Sequence, residues 1–72
     1  MPNFSDRLKE LRKSKKLKQT DMALLLEITT RHYQDCEYGK VTPNATMLVK
    51  LADYFNVSID YLIGRSDDPN RY

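Results

Sequence analysis

Apolar residues return at helical intervals along nearly the whole chain, and nowhere do they alternate as they would along a strand. Phe4, Leu8 and Leu11 fall at i, i+4 and i+7, one stripe of a helix over about residues 4–14, with Asn3 or Ser5 as its cap. Met22, Leu25 and Leu26, with Ala23 between them, predict a short amphipathic helix over residues 19–26. A second short helix follows almost at once. Thr29 can offer its hydroxyl to an orphan amide of the first turn, and Gly39 is a natural left-handed stop. Met47, Leu48, Leu51, Ala52 and Phe55 form a further buried stripe behind Asn44 or Thr42 as cap. Ser58 opens a last short helix over residues 59–63, which Gly64 ends. The expected fold is all-α, a compact bundle of five short helices.

Two helices of two to three turns, separated by roughly three residues, make a helix-turn-helix over about residues 18–38. At about 100° per residue, Tyr33, Cys36 and Glu37 share one side of the second helix. Thr30, Arg31, Gln34, Asp35 and Tyr38 share the other, and nearly all of them carry hydrogen-bonding groups. A polar face backed by an apolar one is what a helix needs to lie in the DNA major groove and read base edges. An ordinary solvated helix face has the same composition, so this helix by itself does not separate the two.

The residues flanking it do. Leu17-Lys18-Gln19, Ala23, Leu26, Ile28-Thr29, Glu37-Tyr38-Gly39-Lys40 and Pro43, with the ending Leu51-Ala52-Asp53-Tyr54-Phe55-Asn56-Val57-Ser58, resemble the phage repressor and Cro type of helix-turn-helix. That is the xenobiotic response element family of bacterial and phage regulators, a lambda repressor-like DNA-binding fold, and the likeness runs from about Phe4 to Gly64. The resemblance implies a sequence-specific regulator of transcription, in the role of repressor, whose partner is double-stranded DNA. It places Gln19 against a phosphate, Thr30, Arg31 and Asp35 on base edges, and Thr29, Tyr38 and Lys40 beside the sugar-phosphate backbone. Gln34, on the same polar face, joins the base-reading set. It also implies a structural ion pair between Arg12 and Glu37, tying the first helix to the reading helix. Three features depart from the pattern. Glu27 stands where the turn usually has glycine, Lys18 replaces the usual threonine cap, and Asp35 and Glu37 bring negative charge to the reading helix.

Arg31 is the leading base reader, since a guanidinium on guanine O6 and N7 is the commonest specific contact. Asp35, four residues on, either steadies that guanidinium or accepts from a cytosine amino group; a plain surface ion pair has the same spacing. A lone recognition helix reads too few base pairs to pick out an operator, which implies a homodimer on a palindromic site. The last helix and the tail are the expected dimer surface, from the apolar character of Ile59, Tyr61 and Ile63.

Charge sharpens this picture. The net charge is only +2, but residues 1–20 hold seven basic against two acidic side chains, and the rest hold five against eight. Basic residues near the end of a first helix suit both its dipole and a phosphate backbone, as well as plain solvation. Seventy-two residues make one domain, 1–64, with a flexible tail over 65–72 that has no apolar period. There is no 18-residue apolar run and no basic-then-apolar leader, so a cytoplasmic protein with no membrane contact is expected. One cysteine makes no intrachain disulfide.

Chemistry is sparse. His32 and Cys36 stand four apart, but a structural zinc site needs four ligands and a thiol-imidazole dyad needs a pocket and an oxyanion donor. Cys36 falls at the core-facing angle and reads as a small buried hydrophobe, while His32 reads as a rim residue. No catalytic residue, metal site or cofactor is expected, and the chain reads as a non-enzyme. Tyr33, Tyr54 and Tyr61 sit at spacings that packing explains better than a stacking platform for single strands. Two other readings remain open. One is the antitoxin of a toxin-antitoxin pair, binding both an operator and a protein. The other is a helical protein interaction module whose acidic second helix does not bind DNA.

Overall fold

The structure, a computed structural model, describes residues 3–71. Five helices follow one another with short connections: α1 (Phe4–Ser14), α2 (Gln19–Leu26), α3 (Thr30–Glu37), α4 (Ala45–Phe55) and α5 (Ile59–Leu62). Among the described residues there is no strand. Of the alternative caps, the structure selects Asn3 and Asn44, and α5 closes one residue earlier than its apolar pattern implies.

The helix starts follow one chemistry. Asn3, Thr29, Asn44 and Ser58 each accept from the amide three residues on, at 2.8–3.0 Å, satisfying a donor that the helix itself leaves orphaned. For α2, Lys18 has no acceptor to offer, and the Asp21 carboxylate reaches back to the Lys18 amide at 2.8 Å. Asn44→Ala is expected to cost about 1 kcal/mol. A urea titration of the two proteins checks it, with a shifted midpoint at unchanged slope.

The helix ends share a second device. Each helix is followed by one residue in the left-handed region: Lys16, Glu27, Gly39, Asn56 and Gly64. The next amide then bonds back to a carbonyl five residues before it: Leu17 to Arg12, Ile28 to Ala23, Lys40 to Asp35, Val57 to Ala52 and Arg65 to Asp60, at 2.8–3.2 Å. Three of these closing residues, Leu17, Ile28 and Val57, fold their apolar side chains onto the core. Glu27 takes the left-handed conformation (φ 58°, ψ 42°) at the position where glycine is usual. Only two of the five positions are glycine, so the others accept some steric cost for the sharp turn.

The core lies where these five helices meet. Leu8, Met22, Tyr33, Cys36, Leu51 and Leu62 are fully buried, one or more from every helix. On α2 the buried stripe is Met22, Ala23 and Leu26, whereas Leu25, expected in the core, is 38% exposed and Leu24 is 79% exposed. Residues 65–71 are irregular, as the lack of an apolar period implies, yet they are anchored. The Ser58 amide donates to the Pro69 carbonyl at 3.0 Å, and Arg71 pairs with Asp53 at 2.6 Å. Asp67 accepts at 3.1 Å from Arg7, a buried guanidinium that also lies 3.9 Å from the centre of the Tyr61 ring. Nothing in the local sequence distinguishes this cation from the other basic residues around it. Tyr61 is thereby covered, and of Ile59, Tyr61 and Ile63 only Ile59 is exposed.

Candidate functional site

Helices α2 and α3 are packed against each other through a turn of three residues, and α1 braces α3 from behind. The brace is ionic. Arg12 Nε donates to Glu37 Oε2 at 2.5 Å and Arg12 Nη2 to Glu37 Oε1 at 3.2 Å, a two-pronged contact. The remaining Nη1 donates to the Leu17 carbonyl at 2.9 Å, so one guanidinium holds α1, the turn before α2, and α3 together. Glu37 is 3% exposed. Burial alone pushes its carboxyl pKa up, but hydrogen bonding by Arg12, then by Tyr33 and Gln19, together with the Arg12 charge, outweighs that and holds it below the ordinary glutamate value.

Held in this way, α3 turns Tyr33, Cys36 and Glu37 inward. Arg31 stands out into solvent with its side chain 79% exposed, and its Nε lies 3.5 Å from Asp35 Oδ1, one helical turn on. Thr30 is half-buried beside them. Thr29 spends its oxygen on the cap, accepting from the His32 amide at 3.0 Å, which leaves the hydroxyl hydrogen free to donate outward. Tyr38 and Lys40 are exposed on either side of Gly39, where the chain leaves the helix. Thr29, Arg31, Tyr38 and Lys40 are thus the exposed members of the expected contact set.

Gln19 and Gln34 behave differently from the other polar residues. Both are half-buried, and they bond to each other: Gln34 Nε2 donates to Gln19 Oε1 at 3.2 Å, and Gln19 Nε2 donates to Glu37 Oε1 at 3.2 Å. Spacing along the chain gives no signal of this bridge, because it crosses between two helices.

Among the described residues, Cys36 and His32 are far from a reactive arrangement. Cys36 is fully buried with its Sγ 3.9 Å from Met47 Sδ, and burial, then the nearby Asp35 and Glu37 charges, push its thiol pKa up. A raised thiol pKa is the opposite of what a nucleophile needs. His32 is exposed. Among the described residues no group of three His, Cys, Asp or Glu side chains comes together as a metal site, and no helix is long and apolar enough to cross a membrane.

A short capped helix, presenting polar side chains and set across a second helix by a left-handed turn, defines a helix-turn-helix domain. The family described as Helix-turn-helix (HTH_3) matches residues 8–62, and the chain belongs to it. An HTH-type transcriptional regulator of Bacillus subtilis (strain 168), YqaE, is 41% identical over 66 residues, which is 90% of this chain and 57% of that protein. A transcriptional regulator from Listeria innocua superposes with a TM-score of 0.82 at 38% identity, covering 85% of this chain and 57% of that one. The chain thus spans little more than half the length of these relatives. The P22 c2 repressor, in a complex with a synthetic operator, superposes with a TM-score of 0.81 over 92% of this chain and all of its own. At 21% identity it shows the same fold.

Proposed function

We propose that this domain binds double-stranded DNA in a sequence-specific manner, as a dimer on a palindromic operator, and represses transcription. The observation that carries the reading is the exposed Arg31, paired with the half-buried Asp35 on α3, a helix fixed from behind by the buried Arg12–Glu37 pair. Inserted into the major groove, Thr30, Arg31 and Asp35 would meet base edges. Gln19, Thr29, Tyr38 and Lys40 would meet the backbone and set register without carrying sequence information. The relatives named as transcriptional regulators and the repressor fold support this assignment. Because one such helix spans few base pairs, two copies on half-sites roughly 34 Å apart supply the needed length.

The test separates reading from holding. Bound duplexes are selected from a random pool and sequenced, and the variants are then measured on the selected site and on a scrambled one. Arg31→Ala is expected to lose about 1–3 kcal/mol of discrimination at one position of each half-site. Lys40→Ala is expected to weaken both duplexes alike and to reduce the salt slope by about one. Equal loss on both duplexes for Arg31→Ala would defeat the assignment of Arg31 as a reader.

A further inference from the structure

We propose that Gln34 is a positioning residue rather than a base reader: it closes a hydrogen-bond relay, Gln34 to Gln19 to Glu37, that aims the free N–H of Gln19 at a DNA phosphate. The proposal rests on the DNA-binding reading above and adds to it the internal wiring of the site.

The relay has a fixed polarity, set from its buried end. Glu37, held ionised by Arg12, can only accept hydrogen bonds, so Gln19 must turn its NH2 group towards Oε1, the 3.2 Å contact observed. That choice points the Gln19 amide oxygen the other way, where it can only accept. Gln34 must therefore present its own NH2 group, which it does at 3.2 Å. Neither amide can flip without setting oxygen against oxygen or NH2 against NH2. One N–H of Gln19 goes to Glu37 and the second is left over, at the first residue of α2, where backbone amides and the positive end of the helix dipole already favour an anion. The same geometry draws the Gln34 side chain sideways onto α2. Its neighbours Arg31 and Asp35 pair along α3 without it.

Leucine is close in volume to glutamine and cannot hydrogen-bond, so Gln19→Leu, Gln34→Leu and the double variant are the probes. In the free protein, two-dimensional NMR of the side-chain amides should show the Gln19 NH2 pair with two well-separated proton shifts, and Gln34→Leu should move them. An unmoved Gln19 pair overturns the relay. On the selected duplex and on scrambled DNA, each single variant should bind about two- to ten-fold more weakly, the size of one net hydrogen bond, with base preference unchanged at every position. The double variant should lose no more than the worse single variant, because both remove the same phosphate contact. Relaxed preference at one base position for Gln34→Leu would make Gln34 a reader and overturn the proposal, as would losses that simply add. If the unmutated protein binds no duplex at all, the DNA-binding reading falls and the phosphate role with it, whatever the amide spectra show.

Discussion

Arg12→Ala is expected to remove about 3–5 kcal/mol of stability, the usual cost of stripping one partner from a buried ion pair. The reason is what stays behind. Glu37 would remain in the interior at 3% exposure, its counter-charge gone and a neutral donor, the Gln19 amide, still against it. The Leu17 carbonyl would also lose its donor, loosening the turn that leads into α2. A 72-residue domain has roughly 4–11 kcal/mol in total, at about 0.05–0.15 kcal/mol per residue, so the substitution removes a large share of it and the variant should unfold at a much lower urea concentration. Replacing both members with apolar residues, as in Arg12→Met with Glu37→Leu, should restore most of that loss, since two uncharged side chains leave no stranded charge. Urea midpoints of the three proteins decide the matter. A cost below about 1 kcal/mol for Arg12→Ala would mean that the pair is screened like a surface contact.

The same pair makes a pH prediction. The folded-state pKa of Glu37 lies below its unfolded value, so its contribution is fully present above the ordinary glutamate range, near pH 4.3. It is lost as pH falls through the lower, folded-state value. Acid should therefore shift the melting temperature of the unmutated protein more than that of the doubly apolar variant, which has no carboxylate there to protonate. Equal acid sensitivity in the two would contradict the account.

Leu51→Ala is the second large effect, an expected loss of about 2–5 kcal/mol. Leu51 is wholly buried on α4, among core residues drawn from all five helices, and deleting its branched end leaves a cavity that neighbouring secondary structure cannot readily close. Leu24→Ala makes the control. It is the same substitution on a helix of the same domain, but Leu24 is 79% exposed and the change should stay within about 0.5 kcal/mol. Similar costs at the two positions would show that Leu24 is covered in solution, by a second copy of the chain or by another partner.

Local chemistry explains what could be read in advance. Asn3, Thr29, Asn44 and Ser58 are strong capping residues beside periodic apolar runs, and each caps a helix. The left-handed turn at Glu27 was legible because the surrounding motif demands it, even though the residue itself disfavours it. Lys16 adopts the same conformation with no such signal, since a lysine in a basic run looks like any other. The exposure of Leu25 is hidden from the sequence because Leu24, Leu25 and Leu26 are consecutive, and an unbroken apolar run has no phase of its own. Packing fixes the phase through Met22 and Leu26, which lie one turn apart and face the core together. Arg7, buried between Tyr61 and Asp67, depends on contacts spanning some sixty positions of sequence, which no local pattern encodes. The same holds for the bridge between Gln19 and Gln34. The polar face of α3 could be listed residue by residue from its angles alone, but which of its members look outward and which bond to α2 is a tertiary fact.

Fluorescence anisotropy of a labelled random-sequence duplex, titrated with the protein at several salt concentrations, tests DNA binding most directly. The account predicts measurable affinity at low salt, with the logarithm of the binding constant falling linearly with the logarithm of salt concentration, by about 0.9 for each phosphate neutralised. No binding to any duplex even at low salt would contradict it, and α3 would then be a surface for protein partners.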